Sequence, residues 1–133
     1  MINHGITPGL STVFREAVPP SSSSYGSKEL DSLLSTPTIV LLTINASAKM
    51  LDPLLPPGYI TVGSKIEVSH ESPTLVGEQI TLNIRVTKVE GPVIYLDFSV
   101  SDDNGVVSKG RYERHIVSIE KLMNIAYSRF AKL

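Results

Sequence analysis

Hydrophobic residues in this chain follow two periods, and the change between them separates a helix from a sheet. From Thr36 to Leu55 the run Thr-Pro-Thr-Ile-Val-Leu-Leu-Thr-Ile-Asn-Ala-Ser-Ala-Lys-Met-Leu-Asp-Pro-Leu-Leu is long, apolar and free of two-residue alternation. It predicts one buried helix. Ser35 or Thr36 can cap its N-terminus, Pro37 suits the first turn, where its missing N–H would be unpaired anyway, and Pro53 stops it. Between Ile39 and Leu42 it is apolar all round, so other elements are expected to wrap it.

After Pro56-Pro57-Gly58 the period falls to two. Tyr59 to His70 reads as a strand with Ile60, Val62, Ile66 and Val68 on one face, and His70 shares their parity. Pro73 ends it. Beyond Gly77 the alternation is cleanest, with Ile80, Leu82, Ile84 and Val86 inward and Thr81, Asn83, Arg85 and Thr87 outward. Glu90-Gly91-Pro92 makes a turn, and Val93 to Ser101 repeats the pattern with Ile94, Leu96, Phe98 and Val100 inward. Asp103-Asn104-Gly105 is a hairpin turn. In the last strand, Val106 to Val117, Gly110 marks a bulge or a close approach of another backbone. Leu122, Ile125, Ala126 and Phe130 predict a closing helix over 118–130. Upstream, residues 9–18 form a first strand ended by Pro19 and Pro20, the polar tract Ser21 to Ser27 predicts a mobile loop, and Lys28 to Leu34 a short helical turn. The sum is an α+β domain over residues 1–133, a five-stranded antiparallel sheet wrapped around a central helix. Its open sheet edges favour pairing with a second copy, so a homodimer is expected.

Composition narrows the chemistry. A chain of 133 residues buries roughly two-thirds of its unfolded surface as one domain and needs no staple. It has no cysteine, which excludes disulfides, thiolate metal sites and cysteine nucleophiles. The three histidines, His4, His70 and His115, show no metal-ligand spacing, and no metal or cofactor is implied. A formal net charge of -1, from 12 basic and 13 acidic residues, gives no footprint for nucleic acid. Thr43, Asn45, Ser47 and Lys49 interrupt the longest apolar run, and the N-terminus lacks a signal-peptide layout, so no membrane span and a soluble, intracellular protein are expected. The tail Ala131-Lys132-Leu133 is similar to the Ser-Lys-Leu peroxisomal signal, which has force only in a eukaryote.

Three stretches together resemble the hot-dog-fold acyl-CoA thioesterases, specifically the fluoroacetyl-CoA thioesterase branch. They are Ser-Thr-Pro-Thr-Ile-Val-Leu-Leu at 35–42, Val-Gly-Ser-Lys-Ile-Glu-Val-Ser-His-Glu-Ser-Pro-Thr-Leu-Val-Gly at 62–77, and Gly-Arg-Tyr-Glu-Arg-His-Ile-Val-Ser-Ile-Glu-Lys-Leu at 110–122. Their order and spacing cover nearly the whole chain from Gly9. The resemblance implies hydrolysis of an acyl-CoA thioester in a cleft at a dimer interface, using a threonine at the helix start, a glutamate within the helix and a strand-end histidine. Thr36 and His70 match the first and last of these. Ile44 stands where the glutamate would be.

At about 100° per residue, position 43 lies within about 20° of Thr36, position 44 about 80° away and position 45 nearly opposite. Thr43 is therefore the helix residue aligned with Thr36, and Asn45 stands in for the glutamate only if the helix is bulged. Thr36, Thr43 and Ser47 form a hydroxyl stripe able to position water or a polar ligand, but none is a carboxylate base. His70 is the best candidate for general base or proton carrier, set against a hydrogen-bonded strand-end histidine with no such task. Thr36 is an ordinary cap or a ligand contact at a helix end whose amides attract negative charge. The resemblance places Gly63 beside the thioester, Leu30 where the branch's namesake has a gating aromatic, and Arg114 in a structural or CoA-facing role. For Leu30 the residue type favours packing; for Glu113 and Arg114 an outward charge pair is the plain alternative. Two functions compete: thioester hydrolysis by His70 and Thr36 without a carboxylate, and binding of an acyl-CoA or similar small ligand without turnover. A hydratase is disfavoured because the Asp and His motif of hot-dog hydratases is missing.

Overall fold

The computed structural model describes residues 2–20 and 27–131. Five strands and two helices follow in the order β1 (Ser11–Ala17), α1 (Thr36–Leu51), β2 (Tyr59–His70), β3 (Gln79–Glu90), β4 (Val93–Asp102), β5 (Gly105–Ser118) and α2 (Ile119–Ala131), with short 3-10 turns at Lys28–Leu30 and Asp52–Leu54. The strands form one antiparallel sheet in the spatial order β1-β3-β4-β5-β2, leaving β1 and β2 at its edges. Most of residues 21–27, read as a mobile loop, and the tail beyond Ala131 lie outside the described residues. Among the described residues no helix is long and apolar enough to cross a membrane.

Alternation decides the facing of β3 and β4 as expected. Ile80, Leu82, Ile84 and Val86 meet Ile94, Leu96, Phe98 and Val100 in one buried layer, and α1 packs on that side against β1, β2 and β3. β2 departs from the reading. Gly63 pairs with Arg114 and Lys65 with Glu113, so Ser64 is an extra, bulged residue. A single inserted residue reverses parity. The inner side of β2 is therefore Thr61 and Gly63 before the bulge and Ile66, Val68 and His70 after it, while Ile60 and Val62 point the other way.

α1 is shorter than the apolar run that predicted it. It ends at Leu51, and Asp52, Pro53 and Leu54 tighten into a 3-10 turn. Ile39, Thr43, Ala46, Ser47 and Leu51 form its buried stripe. The opposite stripe of Leu41, Asn45 and Lys49 is exposed, with Leu41 at 56%, so the sheet covers one side of the helix and does not enclose it. Gly110 reflects a close approach: a Cβ there would overlap the Glu67 carbonyl oxygen and the Phe98 ring. α2 packs chiefly on β5, and Ile125, Tyr127 and Phe130 remain exposed.

Candidate active site

Two segments far apart in sequence build the cleft that holds the sequence candidates. One is the turn before α1 together with the first turn of the helix. The other is the end of β2 and the chain that leaves it. Backbone hydrogen bonds tie them: Leu34 donates to the Thr74 carbonyl at 2.9 Å and Val76 to the Ser32 carbonyl at 2.8 Å. Glu71 and Ser72 both donate to the Val107 carbonyl, anchoring the exit of β2 on β5. The result is a cleft of about 540 Å³ with Leu30, Leu33 and Leu34 on one wall, Glu71 and Pro73 on the other, and Thr36 beside His70 between them.

Ser35, not Thr36, caps α1. The Ser35 hydroxyl accepts the Thr38 N–H at 3.2 Å and bonds the Thr38 hydroxyl at 2.7 Å. Capping by its neighbour leaves the Thr36 hydroxyl available, and Thr36 Oγ1 lies 2.8 Å from His70 Nδ1 across 34 residues of sequence. The other ring nitrogen, His70 Nε2, is buried and has no hydrogen-bond partner among the described residues. An unpaired buried polar atom costs stability unless a ligand or water meets it, and His70 is a residue of the cleft lining.

Of the remaining candidates, Leu30 shares the cleft, on its wall and 47% exposed, and the others lie elsewhere. Thr43 and Ser47 are fully buried on the sheet side, donating to the Ile39 and Thr43 carbonyls at 2.8 and 2.7 Å. Back-bonding to the previous turn satisfies both hydroxyls within the helix. Asn45 sits on the exposed side with Lys49, near Glu16 of β1, and does not line the cleft. Ile44 is partly buried against the core.

Gly63 and Arg114 belong to a different group. A Cβ on Gly63 would come within 3.0 Å of the Tyr112 hydroxyl, so the missing side chain makes room for that ring. Arg114 is 3% exposed and donates to Thr61 Oγ1 at 2.7 Å, to the Thr61 carbonyl at 2.6 Å and to the Tyr112 hydroxyl. Asp52 completes the cluster, accepting the Thr61 N–H at 2.9 Å and the Thr61 hydroxyl at 2.7 Å. Arg114 is thus an inward residue rather than half of an outward pair with Glu113. Sequence reasoning missed Asp52, Thr61 and the cleft-wall Leu33 and Leu34, because only the pairing of residues 32–34 with 74–76 and of β2 with β5 brings them to these places.

A five-stranded antiparallel sheet on one central helix defines a protein of the hot-dog class. A profile of the fluoroacetyl-CoA-specific thioesterase (FlK) family matches residues 18–120, and the chain belongs to that family. Among solved structures, a hot-dog-like protein from Thermanaerovibrio acidaminovorans is 29% identical, with 92% of each chain covered and a TM-score of 0.87. A phenylalanine-to-alanine variant of the fluoroacetyl-CoA-specific thioesterase FlK, in complex with fluoroacetate and CoA, is 26% identical over 88% of this chain and 99% of that one, with a TM-score of 0.78. A Thermus thermophilus thioesterase superfamily member, 24% identical over 96% and 95% of the two chains, has a TM-score of 0.83 and shares the fold. No curated protein matches the chain.

Proposed function

We propose that this protein hydrolyses an acyl-CoA thioester to the free acid and CoA in the cleft at the start of α1. The observation that carries the reading is the 2.8 Å contact between Thr36 Oγ1 and His70 Nδ1 at that cleft, in a chain of a thioesterase family. If Nδ1 donates its proton to Thr36 Oγ1, Nε2 keeps its lone pair, and the Thr36 hydroxyl is free to donate in turn to the thioester oxygen. Nε2 then takes a proton from water as the water oxygen adds to the carbonyl carbon. The oxyanion that forms is held by the Thr36 hydroxyl near the positive end of α1. Collapse breaks the C–S bond, and the departing thiolate recovers the proton from His70. No covalent enzyme intermediate and no carboxylate takes part.

A homodimer belongs to the same reading. β2 is a twelve-residue edge strand with His70 at its end, so pairing of two β2 edges would set a second copy beside the cleft. Light scattering giving twice the chain mass, lost on introducing a proline in β2, tests that part.

Hydrolysis is tested by CoA release from short, branched and aromatic acyl-CoAs. No release from any of them, or release unchanged in His70→Ala, would sink the proposal. A second reading, binding without turnover, is favoured by Ile44, which stands where the resemblance implies a helix carboxylate. Acyl-CoA binding without turnover, with turnover appearing in Ile44→Glu, would favour it over hydrolysis.

A further inference from the structure

The walls of the cleft carry information about the acyl group that the Thr36–His70 pair does not. Leu30, Leu33 and Leu34 come from one short segment and form a continuous apolar wall, with Leu34 as its buried base and Leu30 left 47% exposed at the rim. Pro73 faces them from the other side. Among the described lining residues there is neither lysine nor arginine, and their one carboxylate, Glu71, is paired with Lys109 Nζ at 3.7 Å and accepts the Ser69 hydroxyl. We infer that the site selects uncharged, apolar acyl groups longer than acetyl and rejects acyl groups ending in a carboxylate, with Leu30 and Leu33 as specificity-determining residues. The inference rests on the reading of this cleft as an acyl-CoA site.

Two physical effects act together. A two-carbon acyl group leaves most of a cleft of about 540 Å³ unfilled and the leucines wet. Each further methylene laid against them leaves water, which is worth about four-fold in affinity. A terminal carboxylate has the opposite outcome. It would lose hydration against an apolar wall and meet the Glu71 carboxylate, whose neighbouring cation, Lys109, is already paired with it at 3.7 Å.

The test uses the full chain with acetyl-, butyryl-, hexanoyl- and succinyl-CoA as substrates, and with the S-ethyl, S-butyl, S-hexyl and S-(3-carboxypropyl) thioethers of CoA as non-hydrolysable ligands. The expected result is kcat/KM, and thioether affinity, rising about four-fold per methylene from two carbons to six. Succinyl-CoA should fall about 100-fold below butyryl-CoA, the cost of an unpaired charge at an apolar wall. Leu30→Arg, at a position exposed enough to accept the change, should flatten the chain-length series and raise succinyl-CoA relative to butyryl-CoA. If no thioester is hydrolysed but the thioethers bind in this order, hydrolysis fails and the acyl-group inference stands. A flat or falling series, as when a second copy covers the leucines, overturns the inference, and so does succinyl-CoA matching butyryl-CoA.

Discussion

The two ends of α1 use similar polar groups in opposite ways. At the C-terminal end, Asp52, Thr61, Arg114 and Tyr112 close on one another, and each of the Arg114 nitrogens donates to Thr61 or Tyr112. A buried cluster in which every nitrogen of the guanidinium bonds a neighbour rigidifies the fold. At the N-terminal end, Ser35 closes the helix, and Thr36 and His70 are left to each other with Nε2 unpaired beside a cleft. Both pairings join α1 or its extension to β2. The difference teaches that a charged residue in a family-like motif, such as Arg114, belongs to the scaffold when each of its nitrogens is bonded within it, and that the candidate site is marked by the cleft at which Thr36 and His70 meet.

The largest expected effect separates the ends by activity. His70→Ala should lower kcat/KM by about 10²–10⁴-fold, the range for a lost general base, while its melting temperature should fall only modestly, since it loses the Nδ1 contact to Thr36 Oγ1 but, among the described residues, no partner at Nε2. Arg114→Met should do the reverse. It strands the Thr61 carbonyl and the Tyr112 hydroxyl inside the protein, at a cost of about 3 kcal/mol read by urea unfolding, with kcat/KM at low temperature within a few-fold of the parent. An Arg114 variant that stays stable but loses CoA affinity would erase the contrast and place Arg114 at the ligand.

A smaller pair of changes divides two adjacent residues at the N-terminal end. Ser35→Ala removes the cap and should cost about 1 kcal/mol of stability. Thr36→Val leaves the cap intact and should lower kcat/KM about ten-fold, with Thr36→Ser retaining most of the rate. Equal stability losses in both variants would mean that Thr36 is structural.

The smallest effect concerns acid. The Thr74 hydroxyl, followed by the Asn104 N–H, holds the Asp102 carboxyl below the usual aspartate range. A carboxylate whose folded pKa is lowered stabilises the fold above its unfolded pKa, and that stability disappears as the pH falls through the folded value. Thr74 also accepts the Leu34 N–H, so this contact steadies one wall of the cleft. Asp102→Asn should lower the midpoint slightly at neutral pH and leave it unchanged in acid, and so flatten the acid limb of the stability–pH curve, as measured by thermal unfolding across a pH series.

Much of the fold is legible in the sequence because alternation is a local signal. β4 carries it throughout and β3 as far as Val86, before the bulge at Thr87, and their buried faces there match residue by residue. β2 carries the same signal but misleads, since nothing in Tyr59–His70 marks Ser64 as the inserted residue; the bulge is defined only against the partner strand β5. Thr43 shows the corresponding limit for the site. Its angle aligns it with Thr36, but a threonine facing the sheet has no water to bond, and its hydroxyl turns back to the Ile39 carbonyl.

By itself the sequence determined the α1 start, the facing of β3 and β4, the turns and the residue types available for chemistry. These depend on spacing, capping and side-chain type, which operate over a few neighbouring residues. Tertiary structure alone decided that Ser35 caps and frees Thr36, that Thr36 meets His70 across 34 residues, and that Arg114 lies inside. Those outcomes depend on which segments pack together, because the energy of a polar group is set by its burial and its partners rather than by its place in the chain.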